Sequence, residues 1–226
     1  LLIEHVDAFL VPLRSRRYLR RWVRTSGDPL PPNGPLLFIG THYGCGYWFL
    51  PYVREAGLSP SIVAPQLAPL LVNVSLLQNA YARLRHYLLA RVTGRALLYR
   101  GNAAAGLREV LRAGEVGFGL CDMPSDRSDA FNVTLAGRST RISTGMFALA
   151  EAEQVPVYLF VADTDLETGN RTLHFERAVG SPREQLDQLM ALLDRQLQRD
   201  PSGWRFWSIG SSFFPELAEA PEARAS

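Results

Sequence analysis

His42 closes the apolar run Leu36 to Ile39 and is followed by Tyr43-Gly44-Cys45-Gly46-Tyr47-Trp48. The run reads as a buried strand. A histidine at its C-terminal end, beside a Gly-rich turn, stands where open α/β sheets hold their reactive groups. A second apolar run, ending at Leu120, leads through Cys121 into Asp122. If both runs are parallel strands of one sheet, His42 and Asp122 face the same edge. A carboxylate beside an imidazole fixes its tautomer and stabilises its charged form. Such a pair can take a proton from a hydroxyl or amine while that group attacks an activated acyl carbon. Backbone N–H groups from Gly44 to Gly46 are candidate oxyanion donors. Two plainer readings stay open: a core histidine satisfied by its neighbours, and an Asp122 that only shapes the turn before Met123-Pro124-Ser125.

Other side chains near these runs carry chemistry of their own. Cys45, three residues after His42 and at a helix start, has the setting of a nucleophilic thiol, although buried cysteines more often only pack. Arg127, Arg138 and Arg141 flank the stretch after Asp122. Their planar forks suit a phosphate or a phosphopantetheine arm, with surface salt bridges as the equal alternative. Tyr43, Tyr47 and Trp48 either line an acceptor site or pack in the core. His5, His86 and His174 show no metal-ligand spacing.

The elements that must position these groups follow from periodicity and turn chemistry. Residues 2–24 read as a helix with a broad basic side, built from Arg14, Arg16, Arg17, Arg20, Arg21 and Arg24. Such a side suits an anionic membrane or an acidic carrier protein, or is simply solvated. A Pro-rich connector, 27–35, leads to a strand at 36–41 and a helix at about 45–56. Further strands are expected at 61–64, 96–99, 115–120, 156–162 and 172–177, with a strand or hairpin over 132–142 and Gly137 at its turn. Helices are expected at 70–92, 102–112, 145–153 and from Pro182 to about Arg199. Ser181-Pro182-Arg183-Glu184 is a capping box with Pro at the first helical position.

Alternating strands and helices predict a single three-layer α/β domain over 1–213, its mixed, largely parallel central sheet flanked by helices. The basic helix 1–26 packs on that domain, and 214–226 forms a flexible tail. The length of 226 residues is enough for one full core. A formal charge of +2 gives no reason to expect nucleic acid as a partner, and the two cysteines form no disulfide framework. All 24 basic residues are arginine. The uncharged stretch 56–82, broken by Pro60, Pro65 and Pro69, reads as a buried strand and helix, or else as an acyl-chain channel or membrane-facing patch.

The ordered set of motifs resembles the late acyltransferases of lipid A biosynthesis, in the lysophospholipid acyltransferase superfamily. The likeness rests on His42 to Trp48, Arg100-Gly101-Asn102, Gly106-Leu107-Arg108, Leu111-Arg112-Ala113-Gly114, Asp122-Met123-Pro124, Val133 to Arg138 and Trp204-Arg205-Phe206-Trp207. It runs over about residues 30–210. The resemblance implies a mixed sheet flanked by helices and direct transfer of an acyl chain from acyl carrier protein or coenzyme A. The acceptor it implies is a hydroxyl or amine of a lipid, glycolipid or specialised metabolite. His42 is then the general base. Arg91, Arg100 and Asn102 match positions tied to acceptor or phosphate binding, and Asp122 matches a recurrent site carboxylate. No metal or organic cofactor is implied. The expected setting is the cytoplasm, with peripheral contact at the inner membrane.

One departure stands out. The family carries an acid in the fifth or fourth place after its histidine, and here those places hold Tyr47 and Gly46. Asp122 then takes over as partner, or His42 works with a weaker orienter, or the chain is a non-catalytic relative that binds a carrier protein or lipid. A thioesterase-type hydrolase is the third expectation. The family's usual N-terminal anchor is not in this sequence, which does not open on Met; a soluble or peripheral relative, or a trimmed one, is expected.

Overall fold

A computed structural model describes residues 2–13, 16–44, 46–66, 76–99, 101–165 and 167–214. The chain opens with α1 (Leu2–Leu10) and α2 (Arg16–Trp22), then β1 (Val23–Gly27) and β2 (Leu36–Gly40). Next come α3 (Phe49–Glu55), β3 (Ser61–Ala64), α4 (Leu76–Thr93), β4 (Leu98–Tyr99), α5 (Ala103–Arg112) and β5 (Val116–Leu120). The hairpin strands β6 (Ala130–Leu135) and β7 (Arg138–Ser143) precede α6 (Gly145–Ala152), β8 (Val157–Thr164), β9 (Arg171–Arg177), α7 (Pro182–Arg199) and α8 (Gly210–Phe213).

Seven strands form one sheet in the order β1-β9-β8-β2-β5-β3-β4, and β6 and β7 pair apart from it. β8, β2, β5, β3 and β4 are mutually parallel; β9 runs against β8, and β1 follows β9 in parallel. β2 lies at the centre and is buried throughout, as a strand covered on both faces must be. Its side chains alternate between two cores. Leu36 and Phe38 join Phe49, Val53, Phe118, Phe160 and Phe175 beneath α1 to α3. Leu37 and Ile39 join Leu107, Phe147, Leu159, Leu186 and Leu189 beneath α5 to α7. These two cores make the three-layer α/β architecture.

A third cluster sits beyond the C-terminal half of α7. It gathers Tyr43, Leu135, Leu193, Leu197, Trp204, Phe213 and Phe214. Phe214, where the tail was expected to begin, is thus part of a core. Residues 215–226 lie outside the described residues, as do 70–75 of the helix expected at 70–92.

The start of the chain differs from the helix expected over 2–24. The first helix ends at Leu10, and Pro12 lies in a short 3₁₀ turn, where its ring and missing N–H no longer break a continuous helix. Val23 to Gly27 pairs residue by residue with β9 and becomes the sheet's edge strand. Tertiary pairing outweighs the helical arginine spacing here, and β-branched Val23 and Thr25 suit the pleat. The capping box of α7 forms as expected, with Glu184 N–H on the Ser181 side chain and the Glu184 carboxylate on the Ser181 N–H. Among the described residues, no helix is long and apolar enough to cross a membrane.

Candidate active site

β2 and β5 are neighbours in parallel register, with Gly40 opposite Leu120. The ladder continues one step further, Cys121 N–H donating to the Gly40 carbonyl at 2.9 Å. His42 and Asp122 therefore each stand two residues past a paired position, on the same edge of the sheet. Their side chains meet: His42 Nδ1 lies 2.6 Å from Asp122 Oδ1. The other carboxylate oxygen accepts the His42 backbone N–H at 2.8 Å and the Trp204 indole N–H at 3.2 Å. Asp122 is fully buried, and these three donors replace the water it has lost.

The donor pattern sets the state of the ring. A backbone N–H and an indole N–H can only donate, so Oδ2 accepts twice. Oδ1 accepts from Nδ1–H, which leaves Nε2 with the lone pair and makes it the basic atom of His42. The imidazole retains 21 % side-chain exposure, so small groups can approach it. The Phe206 ring packs against it, centroid to centroid 4.5 Å at 53°.

The segment after α7 clamps the histidine loop. Arg205 N–H donates to the His42 carbonyl at 3.1 Å, and Gly44 N–H donates to the Gly203 carbonyl at 2.9 Å. Tyr43 and Trp204 form an isolated antiparallel bridge between them. Gly44 adopts φ +61°, and a Cβ there would stand 1.7 Å from the Ala162 carbonyl oxygen. Only glycine can make this turn. Trp204 then packs edge-on against Phe213 and Trp207, at 4.8 and 4.9 Å.

Several expected site residues lie elsewhere. Tyr43 is buried, and its hydroxyl donates to the Asp200 carbonyl at 2.8 Å. Burial, with Asp163 and Asp200 nearby, holds its phenol well above the ordinary range. Gly44 cannot supply the oxyanion hole, because its N–H is committed to Gly203. Gly46 begins a 3₁₀ turn, and a Cβ on it would meet nothing within 4 Å. Tyr47 is buried in the first core; its hydroxyl accepts from Arg85 Nε, whose guanidinium lies 5.2 Å over the ring. Cys45 and Arg100 lie outside the described residues.

Arg91 and Asn102 lie away from His42. α3 and α4 each return between parallel strands, so their C-terminal ends lie at the opposite edge of the sheet. Arg91 belongs there, in a cleft of about 440 Å³ with Arg16, Arg54 and Glu55. Asn102 starts α5 after β4, three strands from β2, or roughly 14 Å across the sheet at the usual strand spacing. Its side chain makes no capping bond. Arg127 lies on the loop after Asp122 and pairs with Asp129 at 3.1 Å, 76 % exposed. Arg138 opens β7 next to the hairpin turn, where Ala136 N–H reaches Asp194 of α7 at 2.8 Å. Arg141 donates to the carbonyls of Arg127 and Ala130, at 3.4 and 3.3 Å.

Cys121 separates β5 from Asp122. Its thiol donates to the Ser143 carbonyl at 3.2 Å and is pushed up to about 12, first by burial and then by Asp122 and Asp129. It is no nucleophile at neutral pH. Among the described residues, no group of three or more His, Cys, Asp or Glu is placed to hold a metal ion.

Sequence reasoning missed what Trp204 and Phe206 do. Both belong to an aromatic run already singled out, but spacing alone gave that run no partner. The available signal was chemical: a buried indole N–H needs an acceptor, and a buried carboxylate needs donors. No protein-family model matches this chain, and no curated protein is detectably similar to it.

Proposed function

We propose that the chain is an acyltransferase that moves an acyl group from an acyl carrier protein or coenzyme A thioester to a hydroxyl or amine. The acceptor class is a lipid, glycolipid or specialised metabolite. His42 Nε2 takes the acceptor's proton as its oxygen or nitrogen attacks the thioester carbonyl carbon. The C–S bond breaks, and the imidazolium returns the proton to the departing sulfur. Asp122 keeps Nδ1 protonated and stabilises the imidazolium during transfer. Transfer is direct, as the resemblance implies.

The observation that carries this reading is the 2.6 Å contact between His42 Nδ1 and buried Asp122. It supplies, from the neighbouring strand, the carboxylate that Tyr47 and Gly46 do not. The ordered resemblance to the lipid A late acyltransferases supports the thioester donor. The exposed arginines of α2 and the cytoplasmic setting of that family support work at the inner face of the membrane. A thioesterase-type hydrolase is the second reading, favoured by the partial exposure of the imidazole, since water can act as the acceptor.

The test is thiol release from a panel of acyl-carrier-protein and acyl-coenzyme A thioesters, with and without a small-molecule extract of the source cells. Wild type and His42→Ala are compared. Release that depends on both the extract and His42, with a new acylated product, is expected. Release without any acceptor would give the hydrolase reading instead. Carrier or lipid binding without release from any donor would make this a non-catalytic relative.

A further inference from the structure

β9 turns two of its side chains, Leu173 and Phe175, into the first core. The intervening residues Thr172, His174 and Glu176 line the other face, beneath α7. Ser26 of β1 stands in direct register with His174. Its Oγ lies 2.8 Å from His174 Nδ1, and His174 Nε2 lies 2.9 Å from Glu176 Oε1. Arg195 of α7 donates to the same carboxylate oxygen at 2.5 Å. A cleft of about 350 Å³ opens over these groups, walled by Val161 and Leu192 and bordered by Asp163, Arg195 and Arg199.

The hydrogen-bond directions follow from the donor set. Arg195 can only donate, so the Glu176 carboxylate accepts, from it and from His174 Nε2–H alike. Nδ1 then carries the lone pair and accepts the Ser26 hydroxyl proton. Nucleophile, base and orienting acid stand in that order, within hydrogen-bond reach of one another and in a concave site. All three side chains are at least partly exposed, so a ligand can reach them.

We propose that Ser26, His174 and Glu176 form a second, nucleophilic site that cleaves small carboxylic esters. Ser26 Oγ attacks the ester carbonyl carbon while His174 Nδ1 takes the hydroxyl proton. The bond from carbonyl carbon to the leaving alcohol oxygen breaks, and the imidazolium returns the proton to that oxygen. Water then attacks the acyl-Ser26 ester, with Nδ1 again as base, which releases the carboxylic acid and restores the serine. Val161 and Leu192 give the acyl part an apolar wall. Arg195 is paired with Glu176 and Arg199 lies 3.8 Å from Asp163, so the rim is charge-balanced, and the cleft volume limits the substrate to a small molecule.

The full chain is treated with a fluorophosphonate, which phosphonylates activated serines with loss of fluoride, and the adduct is located by peptide mass. The expected result is an adduct on Ser26 that disappears in Ser26→Ala. His174→Gln should slow its formation at least about a hundredfold, the usual worth of a positioned base. Glu176→Gln should slow it less, with the melting temperature of each variant confirming the fold. No adduct on Ser26, or an unchanged rate in His174→Gln, would overturn the proposal. Because the readout is the position of the adduct, it stands or falls separately from the reading of His42.

Discussion

The Trp204 indole and the His42 backbone N–H share one oxygen of Asp122, at 3.2 and 2.8 Å. This single atom ties the histidine loop to the segment after α7, which lies some 160 residues further along the chain. Trp204→Phe keeps most of the ring volume and removes one donor from a buried carboxylate. Hydrogen bonds to charged groups are worth about 1.5–3 kcal/mol, so a loss of about 2 kcal/mol is expected on denaturant unfolding. Trp207→Phe, at a partly exposed ring, serves as the control. Equal losses in the two variants would argue against the Asp122 contact as the cause.

Asp122→Asn tests the tautomer. The Asn oxygen must face the two obligate donors at Oδ2, so its NH₂ faces His42 Nδ1. Nδ1 must then accept, and the ring proton moves to Nε2, which ceases to be a base. Thioester-dependent activity is expected to fall up to about 10⁴-fold with the fold retained, the scale seen when an orienting carboxylate is amidated in a serine protease. Nitrogen-15 chemical shifts of the His42 ring report the tautomer without any substrate. An unchanged Nδ1–H form in the variant would refute the argument.

Two glycines of one loop should behave differently. Gly44→Ala forces a side chain into the left-handed region at φ +61° and onto the Ala162 carbonyl, 1.7 Å from the new Cβ. Strain and overpacking together predict a loss of about 2–4 kcal/mol. Gly46→Ala adds a Cβ that meets nothing within 4 Å, and a change of about 1 kcal/mol or less is expected. Paired chemical denaturation curves decide this. Similar midpoints for the two variants would mean that the loop moves freely away from Ala162.

Much of this fold was legible because its signals are local. The buried runs behind β2, β5 and β8, the Gly137 hairpin and the Ser181 capping box each need only a short stretch of sequence. β1 was not legible: its only buried residue is Val23, and its strand state comes from pairing with β9, about 150 residues away. The same division holds at the site. The positions of His42 and Asp122 at strand ends could be read, since parallel strands share an edge. Trp204 as a donor to Asp122, and Phe206 against the imidazole, depend on where the chain returns after α7. The Ser26–His174 pair is non-local in the same way, joining β1 to β9.

His86 gives the fold a pH dependence apart from the site. It is buried on α4, its ring lies tilted 5.7 Å from that of Tyr99, and its Nδ1 has no hydrogen-bond partner. Burial, and then the nearby Arg85 charge, hold its imidazole below the ordinary histidine value. The unfolded chain therefore binds this proton more readily than the folded one, and stability rises with pH across the interval between the two values. The His86 contribution is fully present above about pH 6.5, the unfolded value, and is lost as pH falls towards the folded one. His86→Gln cannot take up the proton, so its unfolding free energy should change less than that of wild type between about pH 7 and 5. Equal pH slopes for the two proteins in urea titrations would show that His86 takes up its proton as readily in the folded chain as in the unfolded one.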